Sequence, residues 1–192
     1  MVEKKIQINA LTDKEKAYLL GMIEGDGYLY YDKWGHYKTN IYLNSKKDLD
    51  IVDYILSLLN KMKSNPYIMN KQGCFIIRVN SKQLYTYLKN ELNNISQQKN
   101  NDFILGFISG FIDSDGHVSY GDIVISNKNK KLIKIAENLC KKINIKTNLR
   151  NQNNLFERKV YNIWRLRIST SFKYEKHISK KINRIYGGGY PS

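Results

Sequence analysis

The sequence predicts an α+β protein made of two pseudo-symmetric αββαββα units. Three features predict it: an internal repeat at an offset of 89 residues, a stripe of small residues on the first helix of each copy, and period-two alternation in later segments. The offset aligns Leu19-Leu20-Gly21-Met22-Ile23-Glu24-Gly25-Asp26-Gly27 with Ile108-Ser109-Gly110-Phe111-Ile112-Asp113-Ser114-Asp115-Gly116. The small residues recur every four positions, as Ala17/Gly21/Gly25 and Gly106/Gly110/Ser114, and each motif ends in acid-small-Asp-Gly.

The first helix opens at Thr12-Asp13-Lys14-Glu15, a capping box with Thr12 as N-cap. It runs to about Glu24, with Gly27 as a left-handed terminator. Its counterpart starts near Asn101-Asp102 and stops at Gly116. Both are apolar nearly all round, which marks buried helices. Small side chains at four-residue spacing let two backbones approach closely. The natural partner of each helix is the other, and that pairing brings Asp26 and Asp115 to the same end.

Ile41–Ser45 and Ile123–Asn127 correspond next, each ahead of a helix with apolar residues at helical spacing: Leu49, Val52, Ile55, Leu56 and Leu59, then Leu132, Ile135, Ala136, Leu139 and Ile143. Phe75–Ser81 and Trp164–Thr170 alternate as half-exposed strands, and a last helix follows in each copy, at about 82–93 and 172–185. The expected division is residues 1–96, a polar linker over 97–102, and residues 103–192. The strands sort into two faces. Trp164, Leu166 and Ile168 oppose Arg165, Arg167 and Ser169, while Phe75, Ile77 and Val79 oppose Ile76, Arg78 and Asn80.

Composition narrows the function. The 192 residues carry a formal charge of +15, divided as +4 before residue 97 and +11 after it, and this points to a polyanionic partner. No apolar run is long enough to span a membrane, and the N-terminus lacks a secretory signal. Cys74 and Cys140 are the only cysteines and form no CxxC, which argues against a disulfide scaffold or a structural zinc site. The expectation from these features is a soluble, intracellular protein.

Two carboxylates at abutting helix C-termini are electrostatically misplaced, because that end of a helix is already negative. A compensating cation is expected. All-oxygen ligands suit Mg²⁺ or Ca²⁺, with a backbone carbonyl of Gly25 or Ser114 as a further ligand. A divalent ion beside a basic surface suggests phosphodiester hydrolysis. Asp-Gly pairs also end helices for purely structural reasons, but two copies at equivalent positions above equivalent stripes favour a site.

The paired nine-residue motifs resemble the signature of the LAGLIDADG homing endonucleases, in their single-chain form with two motifs. Tyr18-Leu19-Leu20-Gly21, Arg78-Val79-Asn80-Ser81-Lys82 and Ser126-Asn127-Lys128-Asn129-Lys130 are similar to small archaeal intron-encoded members. The resemblance implies that the motif helices form the interface between two four-stranded antiparallel saddle sheets. It implies a monomer that binds double-stranded DNA and cuts both strands at a long, largely asymmetric site, leaving 3′ overhangs, and it narrows the location to a microbial cytoplasm or organelle. Asp26 and Asp115 are the implied metal ligands, for Mg²⁺ with Ca²⁺ or Mn²⁺ able to substitute in binding. Lys46 and Lys128, beside Ser45 and Asn127, are implied catalytic neighbours, and Glu24 and Asp113 are structural. The implied DNA-contacting residues are Tyr28, Tyr30, Lys33, Lys38, Asn40, Tyr42, Arg78 and Asn80 in the first copy, and His117, Ser119, Arg165, Arg167 and Ser169 in the second. An intron RNA maturase and a non-catalytic DNA-binding regulator are the alternatives on the same fold.

Overall fold

The structure, a computed structural model, describes residues 5–156 and 159–186. At its centre helices α1 (Asp13–Asp26) and α4 (Asn101–Asp115) pack side by side. The small-residue stripes face each other across this contact. A Cβ on Gly21 would lie 2.2 Å from the Phe107 carbonyl oxygen, and one on Gly110 would lie 2.1 Å from that of Tyr18. Only residues without a Cβ permit such an approach. Thr12 closes the expected capping box, accepting from the Glu15 amide at 3.2 Å while Glu15 accepts from the Thr12 amide at 2.7 Å.

After α1 come β1 (Gly27–Tyr31), β2 (Tyr37–Asn44), α2 (Leu49–Lys61), β3 (Tyr67–Lys71), β4 (Cys74–Asn80) and α3 (Lys82–Asn94). After α4 come β5 (Gly116–Ser119), β6 (Asp122–Asn127), α5 (Lys130–Lys142), β7 (Thr147–Phe156), β8 (Lys159–Ile168) and α6 (Lys180–Tyr186). Each set of strands forms a four-stranded antiparallel sheet, in the orders β1-β2-β4-β3 and β5-β6-β8-β7. The inner faces carry Ile41, Leu43, Ile77 and Val79, and Ile123, Ile125, Leu166 and Ile168, all buried in one core shared with α1 and α4. Helix α2 adds Ile51, Val52, Ile55, Leu58 and Leu59 to that core, and α5 adds Leu132, Ile133, Ala136, Leu139 and Cys140. Both cysteines are free thiols.

Three expectations need correction. Gly27 does not adopt a left-handed conformation; its φ is −102° and its ψ 163°. The helix runs straight into β1, and the glycine is needed for space, since a Cβ there would lie 2.3 Å from the Ile23 Cα. The second copy does not end in one helix over 172–185. A 3₁₀ turn (Thr170–Tyr174), a connection and the short α6 replace it, because the chain must fold back to reach the end of α4. The polar connection is also shorter than drawn, since Asn100 already caps α4, accepting from the Asp102 amide at 2.9 Å.

Candidate active site and nucleic-acid interface

The close packing of α1 and α4 delivers Asp26 and Asp115 to one end of the core. A Cβ on Gly25 would lie 2.1 Å from the Ser114 Oγ and 3.2 Å from the Asp115 carboxyl carbon, so the two motif ends touch. Burial, reinforced by the Asp115 charge, pushes the Asp26 carboxyl up to about 6. Burial also raises Asp115, opposed by a hydrogen bond from the Asn127 side-chain amide and by the Lys181 charge. Repeat one has no counterpart to this amide. The sheet registers pair Gly27 with Ile41 and Gly116 with Ile125, so the strand position equivalent to Asn127 is Leu43, which is buried.

The sixth-position acids diverge. Asp113 is fully buried and accepts from the Tyr18 hydroxyl at 2.7 Å, the Ser179 hydroxyl at 2.6 Å, and the Lys180 and Lys181 amides at 2.7 and 2.9 Å. It ties α6 to the motif helix and leaves no lone pair directed at the site. Asp113→Ala strands these donors and is expected to lower stability by at least about 3 kcal/mol, read from the urea midpoint. Glu24 is half-buried, and burial raises its carboxyl as well.

The docking of α6 adds a group that sequence reading missed. The Lys181 ammonium donates to the carbonyls of Ser114 at 3.0 Å and Gly116 at 2.9 Å, capping the negative end of α4. Burial lowers its pKa, while Asp113, Asp48 and Asp26 act in the opposite direction. Lys181 lines a cleft of about 370 Å³ with Lys47, Asp48, Gly116, His117 and Arg184. Arg184 pairs with Asp50 and lies 3.7 Å from Asp48, joining α6 to the start of α2. Nothing in the local pattern around residue 181 announces this role, because it depends on α6 crossing back over the motif ends.

The other expected residues distribute as follows. Ser114 uses its hydroxyl to bridge the helices, donating toward the Gly21, Gly110 and Phe111 carbonyls at 3.1–3.3 Å, and its own carbonyl is occupied by Lys181. Lys46 and Lys128 are exposed at the strand-to-helix connections. Lys47, rather than Lys46, lines the cleft beside Lys181. Ser45 donates its amide to the Gly73 carbonyl at 2.9 Å.

On the outer face of the first sheet, Tyr28, Asn40, Arg78 and Tyr67 form one row, Tyr30, Lys38 and Asn80 a second, and Tyr42 a third with Ile76 and Met69. Asn40 is buried here, accepting from Arg78 Nε at 2.7 Å and donating to the Tyr42 hydroxyl at 3.3 Å; it orients Arg78. Lys38 is held at 2.8 Å by Asp32. Burial would raise that carboxyl, but hydrogen bonds from Lys38, His36 and Trp34 hold it well below the ordinary range. Lys33 lies off the strand in the β1–β2 turn, over the Trp34 ring. On the second sheet His117, Val124, Arg167 and Asn148 share a row, and Arg165 stands opposite Arg150. Ser169 is not a face residue; it ends the strand and accepts from the Ser171 amide at 3.3 Å. Asn148, Arg150 and Gln152 escaped sequence reading because β7 is polar on nearly every residue and shows no apolar alternation. They line a cleft of about 270 Å³ with Arg165 and Arg167.

Comparison with known proteins is consistent with this geometry. The LAGLIDADG-like domain family matches residues 102–181, the second copy. The homing endonuclease I-DmoI of Desulfurococcus mucosus is 29% identical over 141 residues, covering 69% of this chain and 72% of that protein. A structure of an I-DmoI variant with its target DNA nicked in the coding strand, in the presence of manganese, superposes with a TM-score of 0.64. It is 28% identical and covers 82% of this chain and 89% of that one. The second copy is a LAGLIDADG-like domain, and the chain has the pseudo-symmetric two-copy LAGLIDADG architecture. An uncharacterised protein of Methanocaldococcus jannaschii is 30% identical over 148 residues, or 72% of the chain. The match spans only about half, 52%, of that relative's length. No described helix is long and apolar enough to cross a membrane.

Proposed function

We propose that this protein is a divalent-metal-dependent, site-specific endonuclease that cuts both strands of duplex DNA, a homing endonuclease. The observation that carries the reading is the meeting of Asp26 and Asp115 at one end of the α1–α4 pair, between two sheets with polar outer faces. The donor set fits Mg²⁺. Asp26 has its carboxyl raised by burial and by Asp115, the condition that a bound dication relieves. Among the described residues no three His, Cys, Asp or Glu side chains cluster as a complete metal cage. Mg²⁺ suits such a site, since it binds through one or two carboxylates and fills its shell with water and substrate phosphate.

Bound there, the ion would supply an activated water and charge stabilisation at the phosphate and the leaving 3′ oxygen. Asp26 and Asp115 would hold it, and the Gly25 carbonyl would be a further ligand. Asn127 fixes the Asp115 carboxylate, and Lys181 keeps the α4 end electrically tolerable. Lys46 and Lys128, from the connections beside the motif ends, meet the phosphate charge. Tyr28, Tyr30, Lys33, Lys38, Tyr42, Arg78 and Asn80 on one side, and His117, Ser119, Arg165 and Arg167 on the other, grip the duplex as a monomer. Cleavage across the minor groove then leaves 3′ overhangs.

A cleavage selection on randomised duplex DNA tests the reading. A discrete cut in Mg²⁺ and none in EDTA is expected; sequence-selective binding without any cut would make the protein a regulator. Lys181→Met is expected to lower thermal stability without metal and to tighten Ca²⁺ binding by roughly tenfold, because it removes a competing cation. Titration calorimetry at pH 8 reads this, and equal stability loss with and without Ca²⁺ would reduce Lys181 to a structural role.

A further inference from the structure

The two sheets present different chemistry to one duplex. The outer face of the first carries four partly exposed aromatic rings: Tyr28 (54%), Tyr30 (40%), Tyr42 (38%) and Tyr67 (41%). Tyr28 and Tyr30 stack with centroids 5.8 Å apart. The Tyr42 and Tyr67 hydroxyls already accept hydrogen bonds from the Asn40 and Asn80 side-chain amides, which leaves the partly exposed rings as the apolar part of the face. Such a patch on an otherwise polar face marks contact with something apolar. On duplex base edges in the major groove, that is the thymine C5 methyl.

The second sheet presents none of these rings on its described face and carries three guanidinium groups, on Arg150, Arg165 and Arg167, where the first carries one, on Arg78, held by Asn40. Arg150 and Arg165 stand directly opposite each other across the β7–β8 ladder, and both are exposed. Like charges in that position destabilise a sheet. Arg167 is balanced by Asp122 at 3.0 Å, whereas the Arg150–Arg165 pair has no acid within ion-pair distance among the described residues. An electron-rich ligand offsets the repulsion, and guanine, with O6 and N7, is the base edge that accepts both donors of a guanidinium.

We infer that the target is chemically polar end to end: Arg150 and Arg165 read guanine in the half under the second sheet, and the Tyr28/Tyr30/Tyr42/Tyr67 cluster takes thymine methyls in the half under the first. This rests on the DNA-binding reading above and goes beyond it by naming the bases. The test begins with selection of a randomised duplex pool by the full chain in Ca²⁺. Synthetic consensus duplexes then carry deoxyuridine for thymidine in one half at a time. Deoxyuridine in the first-sheet half is expected to weaken binding roughly fourfold per contacted thymine, with little change in the other half. Tyr42→Ser should reduce that penalty. Arg150→Ala and Arg165→Ala should relax the guanine preference about tenfold or more, as should Arg165→Lys, which keeps the charge but loses the fork. Uniform weakening across all sequences, with Arg165→Lys behaving like the parent, would make these arginines phosphate contacts and overturn the inference. So would equal deoxyuridine effects in both halves. A pool that yields no consensus overturns the site-specific reading itself, and this inference with it.

Discussion

Asp26→Asn or Asp115→Asn is expected to abolish double-strand cleavage while DNA binding persists. The loss should reach at least about a thousandfold, the several kcal/mol that metal-supplied charge stabilisation contributes. The same change should make the metal-free protein more stable at neutral pH, and this separates a site from a scaffold. The Asp26 carboxyl ionises near pH 6 in the folded protein, against 3.8 for an ordinary aspartate. Between those values the folded state keeps a proton that the unfolded chain has lost, so this group's contribution to stability falls as pH rises and stays low above pH 6. Asp26→Asn removes the penalty, and its melting temperature should exceed the parent's by a margin that grows from pH 4 to pH 6 and then levels. Each kcal/mol recovered is about 2–4 °C at this size. His177, which burial lowers to about 4, has the opposite pH dependence but is present in both proteins and cancels in the comparison. Saturating Ca²⁺ should reverse the order, stabilising the parent and leaving Asp26→Asn nearly unmoved.

Gly21→Ala and Gly110→Ala are expected to be nearly as damaging, for a reason remote from the chemistry. The added methyl meets backbone: the Phe107 carbonyl for Gly21 and the Tyr18 carbonyl for Gly110. Neither can rotate away. Each change should lower stability by about 3 kcal/mol or more, beyond the usual cost of overpacking a core. Whatever folded protein remains should cleave poorly, because separating α1 from α4 separates Asp26 from Asp115. Gly73→Ala is the control. Its φ of +80° carries a conformational cost, but nothing lies within 4 Å of the added carbon, and cleavage should survive. Chemical denaturation together with cleavage assays distinguishes the cases.

Much of this was written plainly in the sequence. Repetition made the paired helices legible, because one Asp-Gly is a common turn while two above matching stripes of small residues define an interface. Alternation made β4 and β8 legible, since Ile77 and Val79, and Leu166 and Ile168, separate cleanly from Arg78 and Arg167. Where the signal depends on the fold rather than on neighbours, reading stopped. Lys181 acquires its role only when α6 folds back across the end of α4, and the Asp113 cap that holds it there spans 68 residues at its farthest backbone contact. Arg150 lies in a run so uniformly polar that neither face shows a period. Lys47 displaces Lys46 at the cleft because the β2–α2 connection (residues 45–48) is longer than the β6–α5 connection (residues 128–129), so an ungapped alignment of the copies misplaces it. The glycines after the motifs were found by residue type but not by cause; crowding against Ile23 and Ile112, and not a left-handed turn, requires them.

On the proposed reading, the two motif acids form one divalent-metal site against a DNA duplex. Anomalous diffraction from crystals of the protein with its selected DNA and Mn²⁺ tests it most directly. Manganese signal is expected at the joint of α1 and α4, within bonding distance of both Asp26 and Asp115 and of a DNA phosphate. Manganese bound elsewhere on the DNA complex, with the two carboxylates touching no metal, would contradict it.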